Sequence, residues 1–338
     1  MSLGHVIARR IVLLVVVLFG VSLLTFIISH AIPGDPARLM AGQRASPEVV
    51  EQIRRNYGLD QPLPVQYIRY MSGLLHGDLG RSIRTGRPVV EDLARFFPAT
   101  LELVGTALFI AVLVGVPLGV WSASRPNSWV DHLSRTVSVA GVSTPLFWLG
   151  VVALTVLYGR LGWVPGSGRL TPFAAPPPAV TGMYTIDALI ARDWDTFVDA
   201  LHHLLLPALC LAFVHVGLVA RQVRASVLEV LSQDFIRTAH AYGVPPRRVL
   251  YRYALRNALV PTLTVVGLAL GDLLAGAVVT ETIFAWPGMG SYVVDSISFL
   301  DFPAIMGFTI LVATGYTLIN LVVDLLTLKL DPRIRAMG

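Results

Sequence analysis

Residues 235–261 read FIRTAHAYGVPPRRVLYRYALRNALVP, with five arginines and no acid, and they lie between two of the most apolar segments of the chain. Gly243 followed by Val244, Pro245 and Pro246 predicts a helix stop and restart, because glycine suits the left-handed residue after a helix and proline cannot continue one. The stretch is therefore expected to form a helix, a sharp turn and a second helix. In that second helix Val249, Leu250, Tyr253 and Ala254 fall on one side and Arg248, Arg252 and Arg256 on another, an amphipathic pattern. Such a helix suits either an anionic lipid surface or a docked partner protein.

The surrounding chain says why the charge is there. Of its 338 residues 54% are hydrophobic and only 14% are charged, against roughly a quarter in ordinary soluble domains. Mean hydropathy is +0.68 and the isoelectric point is near 9.6. A net charge of +5 could suggest nucleic acid, but the arginines gather at the ends of apolar runs and form no basic face. No nucleic-acid partner is expected. Cys210 is the single cysteine, so no intrachain disulfide can form.

About 20 apolar residues cross the hydrocarbon core, and six windows qualify: 11–29, 103–124, 136–159, the shorter 204–220, 257–280 and 302–323. The first could be a signal peptide, but its 19 apolar residues exceed the usual core of about 7–15 and no A-x-A site follows, so it reads as an uncleaved span. The expected class is an all-α polytopic membrane protein with six spans. Cytoplasmic flanks favour arginine and lysine. Residues 221–256 carry seven arginines against two acids, whereas residues 281–301 carry three acids and no base. Both termini, the 125–135 loop and the 221–256 loop are accordingly expected inside. The arginine-rich segment 30–98 argues the other way, but segments beyond about 60 residues cross largely regardless of charge. The organisation expected is a first span with an extracytoplasmic segment over 1–98, then a five-helix core over 99–338 containing the basic loop at about 221–258.

Within the outer segment, Ser46, Pro47 and Gly58 suit the N-cap, first turn and C-terminal stop of a short helix. RPVVEDLARFFPATLELV, from residue 87, reads either as an interfacial helix or as an extension of the second span. PGSGRLTPFAAPPPAVTG, from residue 165, is an outer loop.

Chemistry is sparse. Lys329 is the only lysine, so no GxxxxGK[ST] phosphate loop exists, and HExxH, paired CxxC and GxSxG are also missing. No catalytic residue and no metal site is expected. His202 and His203 read as interfacial or capping residues. Asp187, Asp193, Asp195 and Asp199 read as a solvated loop or docking surface, matching no calcium loop. Asp272 sits inside the fifth span among Gly267, Gly271 and Gly276. It is either hydrogen-bonded at a helix contact or lines a polar passage able to meet a substrate's cationic amine. Asp324, nearer the inner boundary, reads as structural. A rival class, an intramembrane enzyme, would need a pair such as Asp272 with Asp324 or His215 with Ser22, but neither lies in a known motif. A passive channel would not need the basic turn.

RTAHAYG followed by ALRNALVP resembles the cytoplasmic coupling ("EAA") loop of ABC importer permeases, in the form used by the dipeptide, oligopeptide and nickel subfamily. Arg237 and Thr238 stand where that loop has Glu and its first Ala; Ala239 and Gly243 keep the rest. ISHAIPGDPARLMAG, HGDLGRSIRTGRPV, ETIFAWPGMG and LDFPAIMG resemble further stretches of the B-type subunit in the expected order, nearest to the dipeptide and D-alanyl-D-alanine types. The resemblance implies a type I importer permease fold in a bacterial inner membrane, forming half of a pathway. It implies two ATPase subunits, a second homologous permease and an extracytoplasmic binding protein as partners. ATP would be used by the partners, with no cofactor bound by this chain. Arg237, Thr238, Ala239, Gly243, Arg247 and Arg248 would form the coupling surface, with nickel as an alternative cargo.

Overall fold

The computed structural model describes residues 3–31, 36–41 and 45–330. Residues 32–35 and 42 of the ISHAIPGDPARLMAG stretch, and the C-terminal flank 331–338, lie outside the described residues. Among the described residues the chain is helical, with no strand beyond an isolated bridge between Arg81 and Pro88. In order the helices are α1 (Leu3–Ala31), α2 (Pro36–Ala41), α3 (Pro47–Tyr57), α4 (Leu63–Leu75) and α5 (Val89–Ser124). Then follow α6 (Trp129–Ser143), α7 (Leu146–Arg160, π-helical from Leu154), α8 (Tyr184–Ala191), α9 (Trp194–Leu231) and α10 (Asp234–Ala241). Last come α11 (Pro246–Ile283, π-helical over Val249–Ala254), α12 (Met289–Ser298) and α13 (Phe302–Leu330).

Among the described residues five helices are long and apolar enough to span a bilayer: α1, α5, α9, α11 and α13. The third expected span, 136–159, is instead a broken pair: α6 and α7 meet at a 102° bend, and together they make up the sixth candidate span among the described residues. The cause is local. Thr144 precedes Pro145, which disfavours helical backbone at the residue before it, and Thr144 is extended at φ −89°, ψ 119°. Helix α5 settles the reading of residues 89–97, which extend the second span rather than forming a separate interfacial helix. Helix α9, at 38 residues, is far longer than its 17-residue apolar window because Arg221, Arg224 and Glu229 continue it past the apolar run.

The described chain forms two compact units. One contains residues up to Phe97 together with Ser291–Thr317; the other contains Pro98–Gly290 together with the chain from Leu318. In the first, α3 ends as expected at Gly58, whose φ of +65° lets its N–H and that of Leu59 close on Arg55 and Arg54 carbonyls. Ser46 occupies the N-cap position without a side-chain cap bond. The HGDLGRSIRTGRPV and LDFPAIMG stretches meet here through Asp301, a fully buried carboxylate. It accepts from Ser82 Oγ, from Arg84 N–H at 3.1 Å and from Ala304 N–H at 3.3 Å.

The core of the second unit joins α5, α9 and α11 through Leu103, Val104, Leu204, Leu211, Leu273 and Ala277, with Trp286 sealing one end. Small residues set the spacing. A Cβ on Gly119 would lie 2.6 Å from the Ala220 carbonyl oxygen, and one on Gly217 2.7 Å from Ser138 Cα. The proline-rich loop after α7 is pinned by a buried pair: Arg169 donates to Glu102 Oε2 at 2.6 Å and lies 3.5 Å from the centroid of the Tyr184 ring. The neighbouring acids have local duties. Asp187 accepts from Thr181 and Gly182, Asp193 caps α9 through Thr196 N–H, and Asp199 accepts from Thr171. Burial raises the pKa of Asp187, but the Thr181 and Gly182 hydrogen bonds outweigh it and leave the carboxyl below its usual range. His202 Nε2 lies 3.1 Å from the Trp163 carbonyl just beyond α7, whereas His203 Nδ1 lies 2.9 Å from the Asp199 carbonyl within α9 itself and so caps no helix. No cluster able to hold a metal occurs among the described residues.

Candidate functional site

The basic corner is assembled from the end of α9, all of α10 and the start of α11. Ser232 stops α9, returning its hydroxyl to the Glu229 carbonyl at 2.7 Å. Helix α10 buries Ile236 and Ala239 on one face and exposes Phe235, Arg237, Thr238 and His240 on the other. Arg237 pairs with Asp234 at 3.2 Å, but both are largely exposed and the pair adds little stability. Gly243, at φ +74°, closes α10 with a Schellman motif: its N–H reaches His240 O at 2.9 Å and Val244 N–H reaches Ala239 O at 3.1 Å. Val244 and Ala239 also share an apolar cluster, the contact that usually accompanies this motif. Pro246 then opens α11 at its first helical position.

That cluster ties the corner to the helix bundle. Ile236 and Ala239 of α10 pack with Val120 and Ala123 of α5, with Val219, Val223, Val227 and Val230 of α9, and with Val249, Ala254 and Ala258 of α11. The cluster thus joins α10 to three spans at once. The expected surface is divided accordingly. Arg237, Thr238, Gly243, Arg247 and Arg248 are exposed, whereas Ala239 faces inward as part of the anchor. Tyr242, which sequence reasoning passed over, is 84% exposed at the tip of the turn. On α11, Val249 and Ala254 are buried and Arg248, Arg252 and Arg256 exposed, as the amphipathic pattern predicts, but Tyr253 is exposed.

A second anchor escaped the sequence reading altogether. Asp131, at the start of α6, is fully buried and accepts from Arg224 Nε at 2.6 Å, Arg224 Nη2 at 3.0 Å, Ser122 Oγ at 2.6 Å and Asn127 N–H at 2.9 Å. Arg135 completes the cluster. One carboxylate thus ties the end of α5, the start of α6 and the lower part of α9. The paired arginine is 93 residues away, so no local pattern announces it.

At the other end of α11, the ETIFAWPGMG stretch wraps its own glutamate. Glu281 is fully buried, accepting from Thr100 Oγ1 and Gly290 N–H, both at 2.6 Å. A Cβ on Gly288 would lie 2.3 Å from the Glu281 carboxylate, so the two glycines admit the loop to this distance. Trp286 Nε1 donates to the Ala99 carbonyl at 2.8 Å and locks the turn.

Asp272 lies between these ends. Its neighbours Gly271 and Leu273 are buried while Asp272 itself is exposed, and among the described residues its carboxylate makes no hydrogen bond. Its carboxylate is near enough to His215 of α9 to act on it electrostatically. The flanking glycines pack elsewhere, Gly267 against Val323 and Gly276 against Leu211 and Leu146. An internal helix contact therefore does not account for Asp272. Of the remaining enzyme-like candidates, Ser22 is taken up by Tyr67 Oη at 2.9 Å and His215 by the Leu211 carbonyl at 3.2 Å.

Residues 115–336 match the family described as "Binding-protein-dependent transport system inner membrane component", and residues 3–104 match the N-terminal family of the same membrane component. The chain belongs to this family. It is an inner-membrane, multi-pass component of a binding-protein-dependent transport system. It is 58% identical over 338 residues to the probable D,D-dipeptide transport system permease protein DdpB of Escherichia coli K12, covering 100% of this chain and 99% of that one. It is 44% identical over 327 residues to the dipeptide permease DppB of Alkalihalophilus pseudofirmus (97% and 98% covered). It is 39% identical to the glutathione permease GsiC of E. coli O6:H1 (97% of each). In fold it resembles the inward-facing MetNI methionine ABC transporter, with a TM-score of 0.50 at 18% identity, over 71% of this chain and 96% of that one. The type I importer permease fold expected from the sequence is thereby shown.

Proposed function

We propose that this chain forms half of the translocation pathway of an ATP-driven dipeptide importer, with D,D-dipeptides as the favoured cargo. The 58% identity to a D,D-dipeptide permease along the whole chain supports that cargo over L-dipeptides, and the similar relatives named above set the nickel alternative aside. Two ATPase subunits dock inside the cell, a second permease completes the pathway, and a binding protein delivers substrate from outside. ATP is bound and used by the ATPases. Both termini and the basic corner lie on the cytoplasmic side, in keeping with the arginine bias of the 221–256 loop.

The observation that carries the coupling role is the corner itself, an exposed tip on a buried anchor shared by three spans. Arg237, Thr238, Tyr242, Gly243, Arg247 and Arg248 meet the ATPase, while Ala239 holds the tip to the bundle. Closure of the ATPases pushes α10 as a rigid body, and the cluster hands the movement to α5, α9 and α11. Asp272 serves the pathway. A carboxylate facing lipid at mid-span costs about 2.5–3.5 kcal/mol on insertion scales, so an exposed one belongs against water or the second permease. There it can meet the ammonium of a passing peptide.

The test is gentle purification from the native membrane with mass spectrometry of what accompanies the chain. Recovery of ATPases, a second six-span protein and a binding protein that takes dipeptides and not nickel is expected. The chain alone under several mild detergents would refute the assembly.

A further inference from the structure

Beside the basic corner lies a cavity of about 690 Å³, within the usual range of small-molecule sites of about 300–1,000 Å³. Its wall is built from the end of α5, the following loop, α6, the end of α9, α10 and the start of α11. Three groups able to carry positive charge line it, Arg125, His240 and Arg247, and no lining residue is acidic. Among the described residues neither Arg125 nor Arg247 has an ion-pair partner. The nearest acid along the chain from Arg125, Asp131, is already engaged by Arg224 and Arg135. Val130, Leu231, Val249 and Leu250 give the wall an apolar part, and Ser124 and Pro246 complete the lining. Trp121 and Tyr251 also line it and are 59% and 51% exposed.

Each feature constrains the occupant. Two guanidiniums without acids select an anion, and their planar forks suit phosphate oxygens. The apolar part of the wall would repel a small hydrated anion but suits the upper acyl chains of a lipid. Tryptophan and tyrosine gather where headgroups meet hydrocarbon. We propose that this cavity holds the phosphate headgroup of an anionic phospholipid from the cytoplasmic leaflet, wedged between the coupling corner and the α5–α6 turn. The inference rests on the cytoplasmic placement of the corner. A lipid held there would brace the joint through which the corner moves the spans.

The test uses the complete transporter, delipidated in detergent, with phosphatidylglycerol, phosphatidylcholine and inorganic phosphate added separately and bound species read by native mass spectrometry. The wild type should retain phosphatidylglycerol in preference to phosphatidylcholine. At about 1 kcal/mol per interfacial arginine, Arg125→Ala should weaken that retention roughly fivefold. Arg125→Lys should keep most of it, and Arg125→Glu should abolish the preference. Arg125 is exposed and outside the coupling surface, so ATPase subunits should still be recovered with each variant. Equal retention of the two lipids, or unchanged retention in Arg125→Glu, would overturn the proposal. So would displacement of the lipid by inorganic phosphate at equal concentration. Loss of ATPase together with lipid in Arg125→Ala would assign the cavity to ATPase docking and overturn it likewise. A phosphatidylglycerol preference in a wild-type sample that recovers no ATPase would sink the coupling assignment and leave the lipid site standing.

Discussion

Replacing Asp131 by alanine removes the one acceptor shared by Arg224, Arg135, Ser122 and the Asn127 amide. The carboxylate is 0% exposed, whereas the Arg224 and Arg135 side chains are 22% and 48% exposed. Breaking a buried ion pair from one side costs about 3–5 kcal/mol, because the abandoned charge stays behind. Arg224 is exposed enough to recover some hydration, which places the expected loss at the lower end, about 3 kcal/mol. Arg135, nearly half exposed, contributes under about 1 kcal/mol, so Arg135→Ala should be mild. Equilibrium unfolding in mixed micelles would read these values. A double-mutant cycle of Asp131→Ala with Arg224→Ala should return a coupling of roughly 2 kcal/mol. A single-mutant loss below about 1 kcal/mol, or a strictly additive cycle, would refute the view that this carboxylate ties α5, α6 and α9 together.

At Gly243 a Cβ would meet nothing within 4 Å, so the cost of substitution lies wholly in its φ of +74°. Left-handed backbone costs an ordinary residue about 1–2 kcal/mol and asparagine less. Gly243→Val should therefore depress vesicle uptake at unchanged membrane abundance while Gly243→Asn largely preserves it; equal uptake by both would contradict the coupling role. Asp272→Asn should change uptake rate or peptide preference, and no change in either would return Asp272 to a structural role. Gly290→Ala would put a Cβ 2.5 Å from Val278 Cα and 2.9 Å from a Glu281 oxygen, an overpacking worth roughly 3 kcal/mol in unfolding. Gly315→Ala, with open space around it, is the neutral control for the same measurement. Tyr70 buries a hydroxyl that has no partner among the described residues, so Tyr70→Phe should leave stability unchanged or raise it by up to about 1 kcal/mol. Burial, and then neighbouring Tyr67, pushes the Tyr70 pKa up to about 12 from 10.0. The folded state thus disfavours ionisation: this group's contribution is complete below pH 10 and is lost as pH rises through about 12, a loss that alkaline unfolding of Tyr70→Phe should lack.

The spans were legible because a bilayer demands about 20 apolar residues and little else does. Their ends were not, since helices such as α9 carry arginines beyond the apolar window. The break in the third span was written at Thr144–Pro145, but averaged hydropathy passes over a single backbone constraint. The Gly243 turn was readable in full, because glycine followed by two prolines limits the backbone to few choices. Which way Ala239 points was not. Its direction depends on Ile236, one turn earlier, finding valines on α5 and α9. The Asp131 cluster was unreadable for the same reason, its paired arginine lying 93 residues away.

Apolar burial between helices drives association weakly in lipid, where the alternative surroundings are just as apolar, so helix positions must be set by close packing and polar satisfaction. This chain follows that rule wherever a turn must stay put. Glu281, Asp301 and Asp131 are each buried and each closed by backbone amides or hydroxyls from neighbouring segments. In two cases the stretches that resemble the importer family are the ones that enclose the acid. The basic corner is built on the opposite principle. Its anchoring cluster is wholly apolar, and its closing bonds are backbone bonds at a glycine. A buried carboxylate holds its donors in one geometry and resists displacement, whereas an apolar cluster of valines and alanines can shift as a block without leaving a charge unpaired. The segment proposed to meet a partner, α10 with its turn, thus carries no buried charge of its own among the described residues, and the buried carboxylate of Asp131 is held by α5, α6 and α9 instead.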